Sequence, residues 1–339
     1  MKALILAGGK GMRLLPLTKV LPKPMVPIVN KPFLHHLIEY LKSYGINEII
    51  LSLGYKGEEI KKYFDDGKNF GVKIYYVEEN TPLGTGGAIK NAEDLIDDQI
   101  IIFNGDILTD IDLEDLINYH KAKKGLVTIA LTRVEDPSQY GVVLLDESSQ
   151  IKSFIEKPKK EEAPSNLINA GIYVFEKEIL NYIPKGREVS LEKEIYPVLL
   201  KENIPIYGFE FDGYWLDIGN LHKYLKANKD MLLGKIKLPT SKMITTNKIV
   251  MGENTEVHPK AKIEGPVIIG DNTVIDKNSE IHPMSVIGNN VIIEKNAKIK
   301  ESIIWDNAKI GENAYVENSV IASHRTISDN EKIISNAVA

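Results

Sequence analysis

From Met251 onward an apolar side chain returns at every sixth position: Val257, Ile263, Ile269, Ile275, Ile281, Ile287, Ile293, Ile299 and Trp305. Two residues ahead of it most hexads carry a small or β-branched partner, such as Thr255, Ala261, Val267, Thr273, Ser279, Ser285, Val291 or Ala297. Asn, Gly and Asp punctuate the gaps. A fixed period of six is the mark of a parallel β-helix, in which each hexad supplies one short strand and one corner and stacked coils bury the recurring Ile. An ordinary sandwich does not place ten residues in one register. After Trp305 the register shortens by one and resumes at Ile310 and Val316.

The preceding part has another rhythm. "ALILA", "NEIILSL", "VKIYYV" and "QIIIFNGD" read as strands, and they alternate with helical segments. In "KPFLHHLIEYLKSYG" the apolar residues Leu34, Leu37, Ile38 and Leu41 share one helical face, with Gly45 placed to end it. "KGEEIKKYF" and "DLEDLINYHKAKKG" read as further helices. Such alternation predicts an α/β domain with a Rossmann-like, mostly parallel sheet, whose ligands gather beyond the carboxyl ends of the strands. The chain of 339 residues is therefore expected to comprise an α/β domain at 1–229, a linker at 230–248 and a β-helix at 249–339.

A net charge of −5 offers no basic footprint for nucleic acid, so any affinity for phosphate must be local. The absence of cysteine removes disulfides, thiolate chemistry and Cys-based zinc sites, and fits a cytoplasmic chain. The opening apolar run is too short for a signal peptide, and no stretch is long enough to span a membrane. Local phosphate affinity has one obvious candidate. Gly8, Gly9 and Gly11 follow the first strand, Arg13 lies in the same loop, and Lys23 stands between Pro22 and Pro24. Glycine amides can approach an anion closely, and flanking prolines present a lysine in one place. The spacing matches neither the dinucleotide fingerprint nor the P-loop, and a plain turn with a solvated lysine is the alternative.

The stretch "LAGGKGMRLLPLTKVLPKPMVPIVNKP" resembles the signature of the sugar-1-phosphate nucleotidyltransferases. The resemblance continues through "PLGTGGAI", "FNGD", "YGVV", "FIEKP", "NAGIYVF", "SLEKEIYPVL" and "GYWLDIGN" in the family's order. Among the branches, it is most similar to the mannose-1-phosphate guanylyltransferases, which also carry a hexapeptide-repeat tail, here of the left-handed kind. Met12 departs from the usual Thr of the G-T-R loop, so altered packing of that loop is expected, with its chemistry kept.

The resemblance implies attack of a sugar-1-phosphate oxygen on the α-phosphorus of a nucleoside triphosphate, with loss of pyrophosphate. It implies nucleotide contacts along Leu6, Ala7, Gly8, Gly9, Gly11, Met12 and Arg13, and catalytic roles for Arg13, Lys23 and Asp106. Asp106 and Asp217 are the implied ligands of Mg2+, which suits carboxylate and phosphate oxygens; taken alone, an Asp after a strand reads first as a helix cap. Gly141, Glu156, Lys157 and Asn169 are the implied sugar-phosphate contacts, with a solvated Glu–Lys pair as the bland alternative. Pro158 confines Lys157 to an extended or turn geometry, which decides whether Glu156 and Lys157 reach one cavity.

Related thymidylyl- and uridylyltransferases carry a Gln where this chain has Glu79, three residues before the Pro of "PLG". A carboxylate only accepts hydrogen bonds, and guanine offers two adjacent donors, so Glu79 favours GTP, with Gly84 letting its loop approach the base. A slip of one residue would move that role to Glu78. The expected reaction is GTP with mannose-1-phosphate to GDP-mannose; uridylyl or thymidylyl transfer to glucose-1-phosphate and a non-catalytic regulatory subunit are the rivals. An acyltransferase role for the tail would need its histidines, yet His258 and His282 each precede a Pro at a hexad corner. The tail is therefore expected to support stability and homo-oligomer formation.

Overall fold

The computed structural model describes residues 1–241 and 249–339. Residues 242–248 of the expected linker lie outside the described residues. Two compact units emerge, one of Met1–Gly9 with Leu41–Trp215 and one of Lys10–Tyr40 with Leu216–Ala339. The division passes through the glycine loop, between Gly9 and Lys10.

The first unit is built on a nine-stranded sheet. Its strands are β1 (Lys2–Ala7), β2 (Glu48–Leu53), β3 (Lys73–Glu78), β4 (Gln99–Asn104), β5 (Val127–Arg133), β6 (Gly141–Leu145), β7 (Ile151–Glu156), β8 (Leu167–Glu176) and β9 (Ile206–Glu210). The order β7-β6-β8-β4-β1-β2-β3 is extended by β5 beside β8 and β9 beside β5. Strands β4, β1, β2 and β3 run parallel, whereas β8 is antiparallel to its neighbours β4, β5 and β6. The central parallel strands β4, β1 and β2 are largely buried on both faces because helices cover the sheet, whereas β3 at the edge is only partly buried. Leu4, Ile50, Ile102 and Ile129 are wholly buried, together with Tyr173 and Phe175 of β8.

The helices are α1 (Phe33–Ser43), α2 (Gly57–Phe64), α3 (Gly84–Asn91), α4 (Leu113–Lys123), α5 (Tyr196–Lys201) and α6 (Leu221–Leu232). Leu34, Leu37, Ile38 and Leu41 are buried on α1 as their spacing requires, and Gly45 adopts φ 74° where that helix ends. The Asp112 side chain caps α4 by accepting from the N–H groups of Glu114 and Asp115.

In the second unit the hexads form a three-sided parallel β-helix, a left-handed solenoid of the kind expected. Ile275, Ile293, Ile310 and Ile327 stack on one side, and Ile281, Ile299, Val316 and Ile333 on another. Each fully buried Ile contributes about 2 kcal/mol. Asn tolerates the left-handed conformation better than other side-chain-bearing residues, and it occupies corner after corner here. The amides of Asn278, Asn296, Asn313 and Asn330 bond one to the next at 3.0–3.1 Å.

One register expectation is corrected. Ile304 stacks between Ile287 and Ile321, so the missing residue lies between Ile299 and Ile304. Trp305 points out of the solenoid core. The outward positions of this third side, Ile268, Val286, Ile303 and Val320, are also buried. They lie on the side where Trp305, Glu301 and the Ile287 carbonyl bond to α6 and to the turn after Pro27. At the opposite extreme, Met251 and Val257 in the first coil are exposed.

Candidate active site

Within the first unit the carboxyl ends of the parallel strands come together around Gly8. The Tyr55 N–H donates to the Gly8 carbonyl (3.2 Å), and the Gly105 N–H, next to Asp106, donates to the Leu6 carbonyl (2.9 Å). A Cβ at Gly8 would stand 2.7 Å from Glu79 Oε1, whereas one at Gly9 would meet nothing within 4 Å. The Glu79 carboxylate therefore lies directly against the glycine loop at Gly8. Its Oε1 accepts from Ser52 Oγ (2.9 Å) and its Oε2 from the Leu83 N–H (3.1 Å). Each oxygen keeps a further lone pair. Glu78 sits on the other face of β3, paired with Lys61 at the surface. Gly84 has φ 67°, and a side chain there would stand 2.6 Å from the Val189 carbonyl. Close packing against Glu188 and Val189 is one reason for a glycine there.

The four residues assigned to the sugar phosphate also share the first unit. Gly141 pairs with Glu156 across β6 and β7, and a Cβ on it would stand 3.1 Å from Glu156 Oε2. The chain turns at Lys157, which has φ 50° and donates its N–H to Tyr140 O (2.9 Å). Strand alternation ends there, so Lys157 Nζ comes 3.5 Å from Glu156 Oε1. On β8, Asn169 Nδ2 donates to the Tyr173 hydroxyl (2.9 Å), and its Oδ1 accepts from the Gly171 N–H (2.9 Å).

Three residues beside this group escaped the sequence reading. Glu192 Oε2 accepts from Thr85 Oγ1 (2.9 Å) and Ser190 Oγ (2.8 Å). It is carried on a π-turn at Leu191–Ile195, inside the "SLEKEIYP" block. Such turns often occur at functional sites, but no residue pattern announces them. Burial raises the pKa of Glu156, and the Glu192 charge adds to that rise. The Asn104 side-chain oxygen Oδ1 and the Tyr196 hydroxyl are buried without a hydrogen-bond partner. Buried polar atoms are normally paired, so two orphans near Tyr173 suit a ligand rich in hydroxyls.

The second unit holds Gly11, Met12, Arg13, Lys23 and Asp217. Gly11 is left-handed (φ 62°), and a Cβ there would come 3.1 Å from Lys23 Cβ. The Thr18 hydroxyl donates to Gly11 O (3.1 Å), closing the loop under buried Leu14 and Leu17. Met12 points outward, 63% exposed, so the loop core does not depend on it. The Asp217 side chain is nearly buried and ion-paired with Lys223 of α6. A Cβ at Gly219 would fall 2.7 Å from Asp217 Oδ2 and 3.2 Å from the Arg13 guanidinium carbon. Arg13, Asp217 and Lys223 thus form one charged cluster.

Carboxylate oxygens such as those of Asp106, in the first unit, and Asp217, in the second, are chemically suited to magnesium. Mg2+ takes one or two carboxylates and fills its octahedron with water and phosphate oxygens, so it needs no larger cluster of protein ligands. Among the described residues no group of three or more His, Cys, Asp or Glu is placed to hold a metal.

A family model described as nucleotidyl transferase matches residues 2–233. The chain belongs to the sugar-1-phosphate nucleotidyltransferases. A second model, for the left-handed β-helix domain of the EIF2B epsilon subunit, matches residues 246–339 of this transferase. The transferase is 38% identical to a mannose-1-phosphate guanylyltransferase of Mycobacterium tuberculosis, over 78% of this chain and 79% of that one. It is 39% identical to a UTP–glucose-1-phosphate uridylyltransferase of Synechocystis, over 70% and 65%. Crystalline HddC from Yersinia pseudotuberculosis, complexed with GMP-PN, superposes with a TM-score of 0.59 at 35% identity, over 68% of this chain and 98% of that one. No helix among the described residues is long and apolar enough to cross a membrane.

Proposed function

We propose that this transferase joins GTP to mannose-1-phosphate, giving GDP-mannose and pyrophosphate. The observation that carries the choice of base is the Glu79 carboxylate, fixed by Ser52 and Leu83 against Gly8. A fixed pair of acceptor oxygens complements the adjacent N1–H and 2-amino donors of guanine. A pyrimidine would present a carbonyl oxygen to the same group. The guanylyltransferase relatives and the GMP-PN-bound neighbour support this reading. The uridylyltransferase relative supports glucose-1-phosphate with UTP as the second reading.

In the reaction, a phosphate oxygen of the sugar phosphate attacks the α-phosphorus in line. The bond to the bridging oxygen breaks, and pyrophosphate departs with the electron pair. Two anions must meet, so positioning and charge compensation carry the catalysis. Amides of the Leu6–Met12 loop and the Arg13 guanidinium hold the triphosphate, and Lys23 compensates charge at the α-phosphate or the leaving group. Lys157 holds the 1-phosphate, while Glu156, Asn169 and the Gly141 backbone orient the sugar. Asp106 and Asp217 are the donors we assign to Mg2+, which when bound neutralises phosphate charge. We assign the β-helix, whose first coil exposes Met251 and Val257, to homo-oligomer formation. Sedimentation should then show more than a monomer at micromolar concentration.

The test is pyrophosphate release from GTP, UTP, dTTP and ATP, each against mannose-, glucose-, glucosamine- and fucose-1-phosphate. The reading requires GTP with mannose-1-phosphate to give the highest kcat/KM. Preference for UTP or dTTP overturns it.

A further inference from the structure

The segment that carries Arg13 and Lys23 is a structural part of the β-helix unit. Four residues past Lys23 it enters a hairpin, with Pro27 opposite Pro32 and Ile28 opposite Lys31. The two turn residues, Val29 and Asn30, have φ 44° and 65°. Two-residue hairpins want positive φ at both positions and normally use Asn or Gly for it. Asn30 suits that need. Val29 does not, because a β-branched residue at positive φ is strained and persists only where its surroundings over-determine it.

The surroundings do so. The Val29 N–H donates to Asn228 Oδ1 (2.8 Å), and Asn30 Nδ2 donates to the Ile287 carbonyl in the β-helix (2.6 Å). Tyr224 of α6, wholly buried, donates its hydroxyl to Pro27 O (2.6 Å). The same hydroxyl accepts from Trp305 Nε1 (3.0 Å). Trp305 is the residue displaced from the solenoid core where the hexad register breaks, so the interruption of the repeat delivers an indole N–H to this contact. One residue earlier on α6, Lys223 holds Asp217.

We propose that the β-helix acts as a positioning element for the phosphate-binding segment, through the relay Trp305–Tyr224–Pro27. Trp305 and Tyr224 touch no substrate; they fix the hairpin that terminates the segment and thereby the placement of Lys23 and Arg13. The proposal rests on the reading that this segment binds the triphosphate.

Three variants test it: Tyr224→Phe, Trp305→Phe and the double variant, each in the full chain and each keeping an aromatic ring in place. Loss of one buried hydrogen bond that orders a reacting group should lower kcat/KM for the nucleoside triphosphate about tenfold. KM for the sugar-1-phosphate, whose assigned contacts belong to the other unit, should stay within about twofold. The double variant should be no worse than Tyr224→Phe, because both deletions break one relay. Amide hydrogen exchange over residues 23–30 should quicken in all three. A merely structural role would lower the melting temperature but leave the triphosphate kinetics unchanged below the melt, and that result overturns the proposal. So does unaltered exchange over 23–30. If the unmodified chain turns over no substrate pair, the substrate reading has failed, and the exchange measurement alone decides the positioning claim.

Discussion

Asp217 and Lys223 form an ion pair in which the aspartate side chain is 8% exposed and the lysine side chain 24%. The aspartate ends a short strand, Trp215–Asp217, and the lysine lies in the first turn of α6, whose start is capped by Asn220. The pair sits beside the Arg13 guanidinium, so the acid is compensated from two directions. Removing Lys223 leaves a nearly buried carboxylate with less compensation. Lys223→Met should destabilise the protein by about 1–3 kcal/mol, less than a fully buried pair because the lysine is partly solvated. Denaturant titration checks it, and adding Asp217→Asn should recover most of the loss.

Asp106 follows β4 immediately after Gly105, whose N–H is bonded to the Leu6 carbonyl near the end of β1. Asp106→Asn keeps the shape and removes the charge. Magnesium-dependent turnover should fall by about 10²–10³, the scale of losing one group that stabilises transition-state charge. The melting temperature should stay close to that of the unmodified protein. Near-normal turnover would remove Asp106 from the chemistry.

His36 on α1 lies in the second unit, wholly buried, with Nε2 2.9 Å from the Ile28 carbonyl and Nδ1 2.7 Å from Thr240 Oγ1. A carbonyl only accepts, so Nε2 carries the proton and Nδ1 accepts from the hydroxyl. Burial lowers its pKa to about 4. The unfolded chain therefore binds a proton near pH 6.5 that the folded chain refuses, and this part of the stability is complete above 6.5 and lost as pH falls towards 4. The loss should approach about 3 kcal/mol. Comparing unfolding free energies of the protein and of His36→Gln from pH 7 to 4 checks it: the difference between them should shrink by that amount on acidification.

Glu156 is held above the ordinary carboxylate range by burial first and by the Glu192 charge second. In the sugar-orienting role proposed for Glu156, its ionised form offers both oxygens purely as acceptors. The kcat/KM for the sugar-1-phosphate should therefore fall on acidification at a pH above the usual glutamate value. Glu192→Gln should move that limb to lower pH. An unmoved limb would separate the two carboxylates.

The β-helix was legible because its period is set by coil geometry, and the helix face of α1 because burial imposes a 3.6-residue spacing. Trp305 shows the limit of period counting. A shift of one residue looks the same in sequence whether it falls before or after the large side chain, and only stacking of Ile304 on Ile287 places it. Strands β5–β9 and the π-turn carrying Glu192 were not individually read: β5 and β8 are buried on both faces, so no alternation marks them, and a π-turn leaves no fixed residue spacing. Glu79 could be named from its position before "PLG", but choosing it over Glu78 needed the alternation of β3. The sharing of Arg13, Lys23 and Asp217 with the β-helix unit is a long-range property, set by Tyr224, Asn228 and Trp305. No local pattern encodes it.

The most direct test of the account is the ratio of kcat/KM for GTP over UTP, measured for the protein and for Glu79→Gln. A ratio cancels any loss of active protein that follows from disturbing the bonds to Ser52 and Leu83. The account predicts that GTP leads in the unmodified protein and that the substitution cuts the ratio about tenfold or more, as expected when a site that pairs two donors loses one acceptor. A ratio that Glu79→Gln leaves unchanged would contradict it.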